Sequence, residues 1–105
     1  MKPRLTVLVL CGGRSAERDV SCVSAASLLR NLGPRHRPLL VRIDPQGRWT
    51  FQASPDAFAR HPKPFRYPFE PVPARLELGP APRLRVGARR LKVDVVFPAL
   101  HGPLG

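Results

Sequence analysis

Acidic residues are scarce in this chain. Seven Asp and Glu stand against 18 Lys and Arg in 105 residues, a formal charge of +11. Aromatics are also few, at 7%, and that limits what the charge can mean. Nucleic-acid surfaces cluster their cations to release phosphate counterions and interleave aromatics to stack bases. Here the arginines are spread over nearly every segment, Arg30, Arg42, Arg60, Arg75 and Arg89 among them, so they read as a solvated basic surface, and nucleic acid is a lesser alternative partner. Cysteine is rarer still: Cys11 and Cys22 lack the clustered spacing of a metal site or a disulfide framework. They read as small buried hydrophobes in a protein of the reducing cytoplasm. No stretch reaches the roughly 18 consecutive apolar residues of a membrane helix, so no membrane span is expected. The length matches one domain, residues 1–105.

What is present is organised. Leu5 to Leu10 is a nearly unbroken apolar run stopped by Gly12-Gly13, the pattern of a strand covered on both faces. From Ser15 to Leu32 the period changes: Cys22, Ala25, Ala26, Leu29 and Leu32 recur at helical spacing. Ser15 is placed to cap this helix and Gly33-Pro34 to close it. Leu39 to Ile43 is a second strand, completing a βαβ unit, and Trp49 to Phe51 a brief third. The proline-dense stretch 52–75 is expected as loop with one helical turn near Asp56 to Arg60, pinned by Phe58, Phe65, Tyr67 and Phe69. Leu76 to Leu78, Leu84 to Val86 and Arg90 to Lys92 alternate at period two around glycines, suggesting short antiparallel edges. Val93 to Pro98 is a final strand. The fold class expected is α/β: a small, open, mostly parallel sheet with flanking helices and an antiparallel edge hairpin.

Two places can carry chemistry. Residues 11–17 join a strand end to a helix start through glycines, a junction whose N–H groups and dipole suit an anion. It lacks the third glycine of a dinucleotide fingerprint and the Gly-Lys-Ser/Thr of a Walker loop, so a plain turn and a ligand loop both remain open. Glu17 complements the helix dipole whatever its role, and Ser15 and Ser21 read as caps or helix-surface hydroxyls with no partnered base in sight. His101 follows a strand at its carboxyl end, where open α/β sheets place ligands, with Gly102 giving backbone access. On the residues alone, a lone histidine is more often a structural imidazole than a catalytic one.

Gly12-Gly13-Arg14-Ser15-Ala16-Glu17-Arg18-Asp19-Val20-Ser21 and Val95-Val96-Phe97-Pro98-Ala99-Leu100-His101-Gly102-Pro103-Leu104-Gly105 resemble the two opening signatures of D-alanine–D-alanine ligases, in the family's order and separation. The resemblance implies a Rossmann-like pre-ATP-grasp domain whose enzyme phosphorylates one D-alanine with ATP and joins it to a second for peptidoglycan synthesis. It implies that Glu17 engages the ammonium of the first D-alanine, that Gly13, Ser15 and Val20 shape the loop around it, and that His101 and Gly102 stand beside the reacting carboxylate. It further implies ATP and Mg2+ bound outside this chain by the remaining ATP-grasp domains, and a homodimer. In the family the second signature continues with Glu-Asp-Gly and a long further region, so the 105 residues alone are expected to bind no ATP tightly and form no dipeptide. A stand-alone module binding a small ligand or a protein without catalysis is the rival reading, and a ligase using D-lactate or D-serine as second substrate a nearer one.

Overall fold

The computed structural model describes residues 4–13 and 18–99. Its elements are β1 (Thr6–Gly12), α1 (Arg18–Leu32), a 3-10 turn (Gly33–Arg35), β2 (Arg37–Ile43), β3 (Trp49–Gln52), α2 (Pro55–Arg60), a second 3-10 turn (Pro64–Arg66), β4 (Ala74–Glu77), β5 (Arg83–Val86), β6 (Arg89–Lys92) and β7 (Val95–Pro98). The main sheet has the order β3-β2-β1-β7. β1 runs parallel to both β2 and β7, and β3 is its antiparallel edge. The three short strands β4-β5-β6 form an antiparallel sheet of their own.

Three layers result, and the sequence explains each. Every residue of β1 is buried because a partner lies on each edge and a layer on each face, which is why the run carries no polar alternation. On one face Val7, Val9 and Leu40 pack against Cys22, Ala25, Ala26 and Leu29 of α1 and Phe58 and Ala59 of α2. The alanines on that helix face let its backbone approach the sheet closely. On the other face Leu8, Leu10, Leu39 and Val41 meet Leu84, Val86 and Val93. Gly33, at φ +66, ends α1 in the left-handed conformation that glycine adopts most cheaply.

The proline-rich stretch contributes α2, shorter than any independent helix, and then a 3-10 turn. Phe58 is fully buried and meets the Tyr67 ring edge-on at 6.4 Å. Phe65 and Tyr67 pack against the same core, while Phe69 stays 40% exposed. β7 differs from β1: it lies at the sheet edge, and Val95, Val96 and Phe97 are exposed. Asp94 sets its register, accepting the Thr6 N–H on Oδ2 at 2.7 Å and donating its own N–H to Thr6 O at 2.9 Å.

Candidate functional site

Parallel pairing brings the carboxyl ends of β1 and β7 side by side, with Leu10 opposite Pro98. The start of α1 lies beside them. Gly12 and Gly13 both hold positive φ, 97° and 105°. Gly12 is irreplaceable for a second reason: a Cβ there would stand 2.5 Å from the carbonyl oxygen of Ile43. The Gly13 N–H donates to that same carbonyl at 2.8 Å, so the turn is tied down onto the end of β2.

The joint between the two tips is Ser21. Its hydroxyl is completely buried. Oγ accepts the Gly12 N–H at 3.0 Å and donates to the carbonyl of Ala99, while the Ala99 N–H donates to Leu10 O at 2.8 Å. This corrects two expectations. Ser21 is no helix-surface hydroxyl, and the amides of Gly12 and Gly13 are spent inside the protein, so neither is free for an anion. The signal for Ser21 was available: it precedes Ala25 by one helical repeat of four and shares its buried face.

Beneath the site lies a second group that composition concealed. Arg42, expected on the solvated surface, is 1% exposed. It sits directly opposite Cys11 in the parallel pair, and its position inside an apolar strand run was the available clue. Nη1 donates to Tyr67 O at 2.6 Å and to Pro68 O at 3.4 Å. The guanidinium carbon lies 3.9 Å from the centre of the Phe69 ring and 4.9 Å from that of Phe58. Burial lowers the Arg42 pKa, and the sulfurs of Cys22 and Cys11 oppose that shift. Both cysteines are free and buried, as a reading of them as small hydrophobes requires. Their thiols share a hydrogen bond, which pulls Cys22 down to about 7, with Arg42 adding to the effect, and pushes Cys11 up.

Of the residues assigned to the site from sequence, Gly13 stands at the β1 tip, half-buried. Val20 lies in the first turn of α1 and is 49% exposed. Ser15, Glu17, His101 and Gly102 lie outside the described residues. The described residues therefore bring together the roots of the two segments, Gly12-Gly13 and Pro98-Ala99, rather than the side chains expected to touch substrate. Among the described residues no three His, Cys, Asp or Glu gather as a metal site, and no helix is long and apolar enough to cross a membrane. A cleft of about 440 Å3 lined by Leu29, Arg30, Gly33, Pro38 and Asp56 lies at the opposite end of the sheet, where β2 begins. It is remote from both tips.

Comparison with known proteins agrees with the two signatures. The family described as D-ala D-ala ligase N-terminus matches residues 6–105. A D-alanine--D-alanine ligase of Mycobacterium ulcerans (strain Agy99) is 42% identical over 113 residues, covering 97% of this chain and 30% of that protein. D-alanine--D-alanine ligase A of Mesorhizobium japonicum is 40% identical over all of this chain and 30% of its own length. Among solved structures, the D-alanine-D-alanine ligase from Coxiella burnetii superposes with a TM-score of 0.78 at 30% identity, over 97% of this chain and 30% of that one. A D-Ala:D-Ser ligase from Enterococcus faecalis gives 0.76 at 24% identity over 95% of this chain and 30% of that one, a likeness of fold alone. The chain thus spans about 30% of the length of these relatives.

Proposed function

We propose, from the premise that this chain belongs to the family of D-alanine–D-alanine ligase amino-terminal domains, that it forms the part of an ATP-dependent ligase that receives the first D-alanine. The observation that carries the reading is the family match over residues 6–105, whose two signature segments leave adjacent strand tips joined through Ser21. Within it, Glu17 binds the substrate ammonium, a charge-assisted contact that orients a zwitterion and favours amino acids over other carboxylates. Gly13, Ser15 and Val20 shape that loop, and His101 with Gly102 stands beside the carboxylate that reacts. ATP and Mg2+, held by the remaining ATP-grasp domains, supply activation of that carboxylate as an acyl phosphate. The product is the D-alanyl-D-alanine dipeptide of peptidoglycan synthesis, made in the cytoplasm by a homodimer.

The test uses a polypeptide in which this chain is followed by the region of the Mycobacterium ulcerans relative beyond the matched third. D-alanine-dependent ADP release and dipeptide formation are expected from it, and neither from the 105-residue chain alone. A folded fusion that releases no ADP with D-alanine overturns the ligase reading. Replacing Glu17→Gln removes charge at nearly constant volume. It should weaken use of the first D-alanine by about 1.5–3 kcal/mol, the worth of a charged hydrogen bond. Unchanged kinetics would remove Glu17 from the site.

A further inference from the structure

Ser21 is a fully buried hydroxyl on the inner face of α1, and its two hydrogen bonds reach the last residue of β1 and the residue that follows β7. We propose that Ser21 is a positioning residue for first-substrate binding: its hydroxyl ties the Gly12 backbone to the Ala99 backbone, the two points from which the chain continues toward Glu17 and His101. This rests on the ligase reading of the same site.

The chemistry fits a clamp. A hydroxyl has one proton to give and lone pairs to receive, and Ser21 uses both, taking the Gly12 N–H and giving its own proton to the Ala99 carbonyl. Gly12 is the last residue of β1, and Ala99 follows directly on β7. Each is itself anchored one bond further on: Gly13 N–H to Ile43 O, and Ala99 N–H to Leu10 O. The two tips are therefore not merely neighbours in a ladder. The ladder itself runs only from Val7 opposite Val95 to Leu10 opposite Pro98, and past that point the serine supplies the side-chain link between the departing backbones. Glycine at positions 12 and 13 makes such a link necessary, since positive φ at both is held by hydrogen bonds and not by side-chain sterics. Ser21 reaches neither substrate nor cofactor in this reading. It acts through the backbone.

The experiment measures the fusion polypeptide described above with Ser21→Ala, Ser21→Cys and Ser21→Thr, beside Ala25→Gly as a control that loosens the same buried helix face without touching either loop. Ser21→Ala should raise KM at the first D-alanine site by about 10- to 100-fold, the scale on which a displacement near 1 Å acts, with a smaller change in kcat. Ser21→Thr, which keeps the hydroxyl, should recover most of the loss. Ala25→Gly should leave KM within about threefold even where its melting temperature falls as far. If Ser21→Ala does not fold, Ser21→Cys carries the test, being close in size but a weak donor. A KM for Ser21→Ala or Ser21→Cys no higher than that of Ala25→Gly overturns the inference, as does failure of Ser21→Thr to rescue while folded. An unsubstituted fusion that does not use D-alanine removes the ligase reading and this inference together. A working parent with an indifferent Ser21 removes the inference alone.

Discussion

On one face of the main sheet Leu8, Leu10, Leu39 and Val41 meet Leu84, Val86 and Val93. On the other, Val7, Val9 and Leu40 share their layer with buried Ser21, Arg42, Thr50 and Gln52. Cross-strand partners point to one face, and the register Leu40 to Gln52 and Arg42 to Thr50 puts the buried polar members of β2 and β3 on the helix side. The difference teaches what each face is for. Apolar packing is undirected and simply supports. Buried polar groups must be satisfied in one geometry, and here three of the four fasten a piece of irregular chain while Thr50 bonds within the β2-β3 pair: Ser21 holds the strand tips, Arg42 holds Tyr67 and Pro68, and Gln52 exchanges hydrogen bonds with the backbone of Glu70 at 3.0 Å each way. The stretch that Arg42 and Gln52 hold is rich in proline, which cannot donate to a ladder, so side chains from β2 and β3 supply what a neighbouring strand would.

The sharpest break in that comparison is Arg42→Ala, which empties a buried volume and strips two carbonyls of their donor. A loss of about 3–5 kcal/mol is expected from denaturant unfolding, with the amides near Tyr67 losing protection from exchange first. Arg42→Met should cost less, because an apolar side chain of similar length fills the space without burying a charge. If Arg42→Met matches the parent in stability and still protects that loop, the guanidinium is not its anchor. Leu84→Ala probes the opposite face, at about 2–5 kcal/mol for a fully buried leucine. Its loosening should stay within β4 to β6 and spare the Gly12 and Ala99 amides. Spread of the exchange to those amides would show that the two faces are not separate supports.

A smaller and more local effect is expected at Thr50, whose Oγ1 donates to Arg42 O at 2.6 Å and accepts from Gln52 Nε2 at 3.0 Å. Thr50→Val keeps the shape and removes both bonds. About 1 kcal/mol is the expected loss, read from the denaturation midpoint. A midpoint unchanged to within experimental error would mean that the helix-side network tolerates gaps and specifies less than its burial suggests.

How much of this was legible in the sequence follows the same division. β1 and α1 could be read because a period repeats over many residues: the continuous run of β1 and the Cys22, Ala25, Ala26, Leu29 spacing of α1 are statements about burial, and burial is what hydrophobic pattern records. The alternation of β4, β5 and β6 gave their antiparallel pairing, but not their separation into a second sheet, since no local signal says which layer a short strand joins. Arg42 and Ser21 escaped because their partners, Tyr67, Pro68 and Ala99, are 25, 26 and 78 residues away in sequence. A polar residue is read as exposed until its distant acceptor is known. At the proposed site, motif resemblance names Glu17 and His101, which lie outside the described residues, while the hydroxyl that links Gly12 to Ala99 was passed over as a surface group.

Asp94 offers the finest adjustment, because it sets where β7 begins and pairs with Lys92 at the end of β6 at 3.4 Å. Its pKa is lowered, first by the hydrogen bond from the Thr6 N–H and then by the nearby charge of Lys92. A carboxylate whose folded pKa lies below its unfolded value stabilises the fold fully above the unfolded value, near 3.8. That contribution disappears as pH falls through the folded value. Asp44 and Glu77 are lowered too, by Arg48 and by Arg90, so acid should weaken the whole protein. The part belonging to Asp94 is the difference between the parent and Asp94→Asn in unfolding midpoint followed from pH 6 downward. The two curves should lie apart at pH 6 and converge below the ordinary carboxylate range, with the β1 and β7 amides showing the larger change and those of β6, which Lys92 ties to Asp94, a smaller one. Parallel curves over that window would show that the Thr6 contact does not depend on the charge, and that pairing of β1 with β7 alone sets where the second strand tip falls.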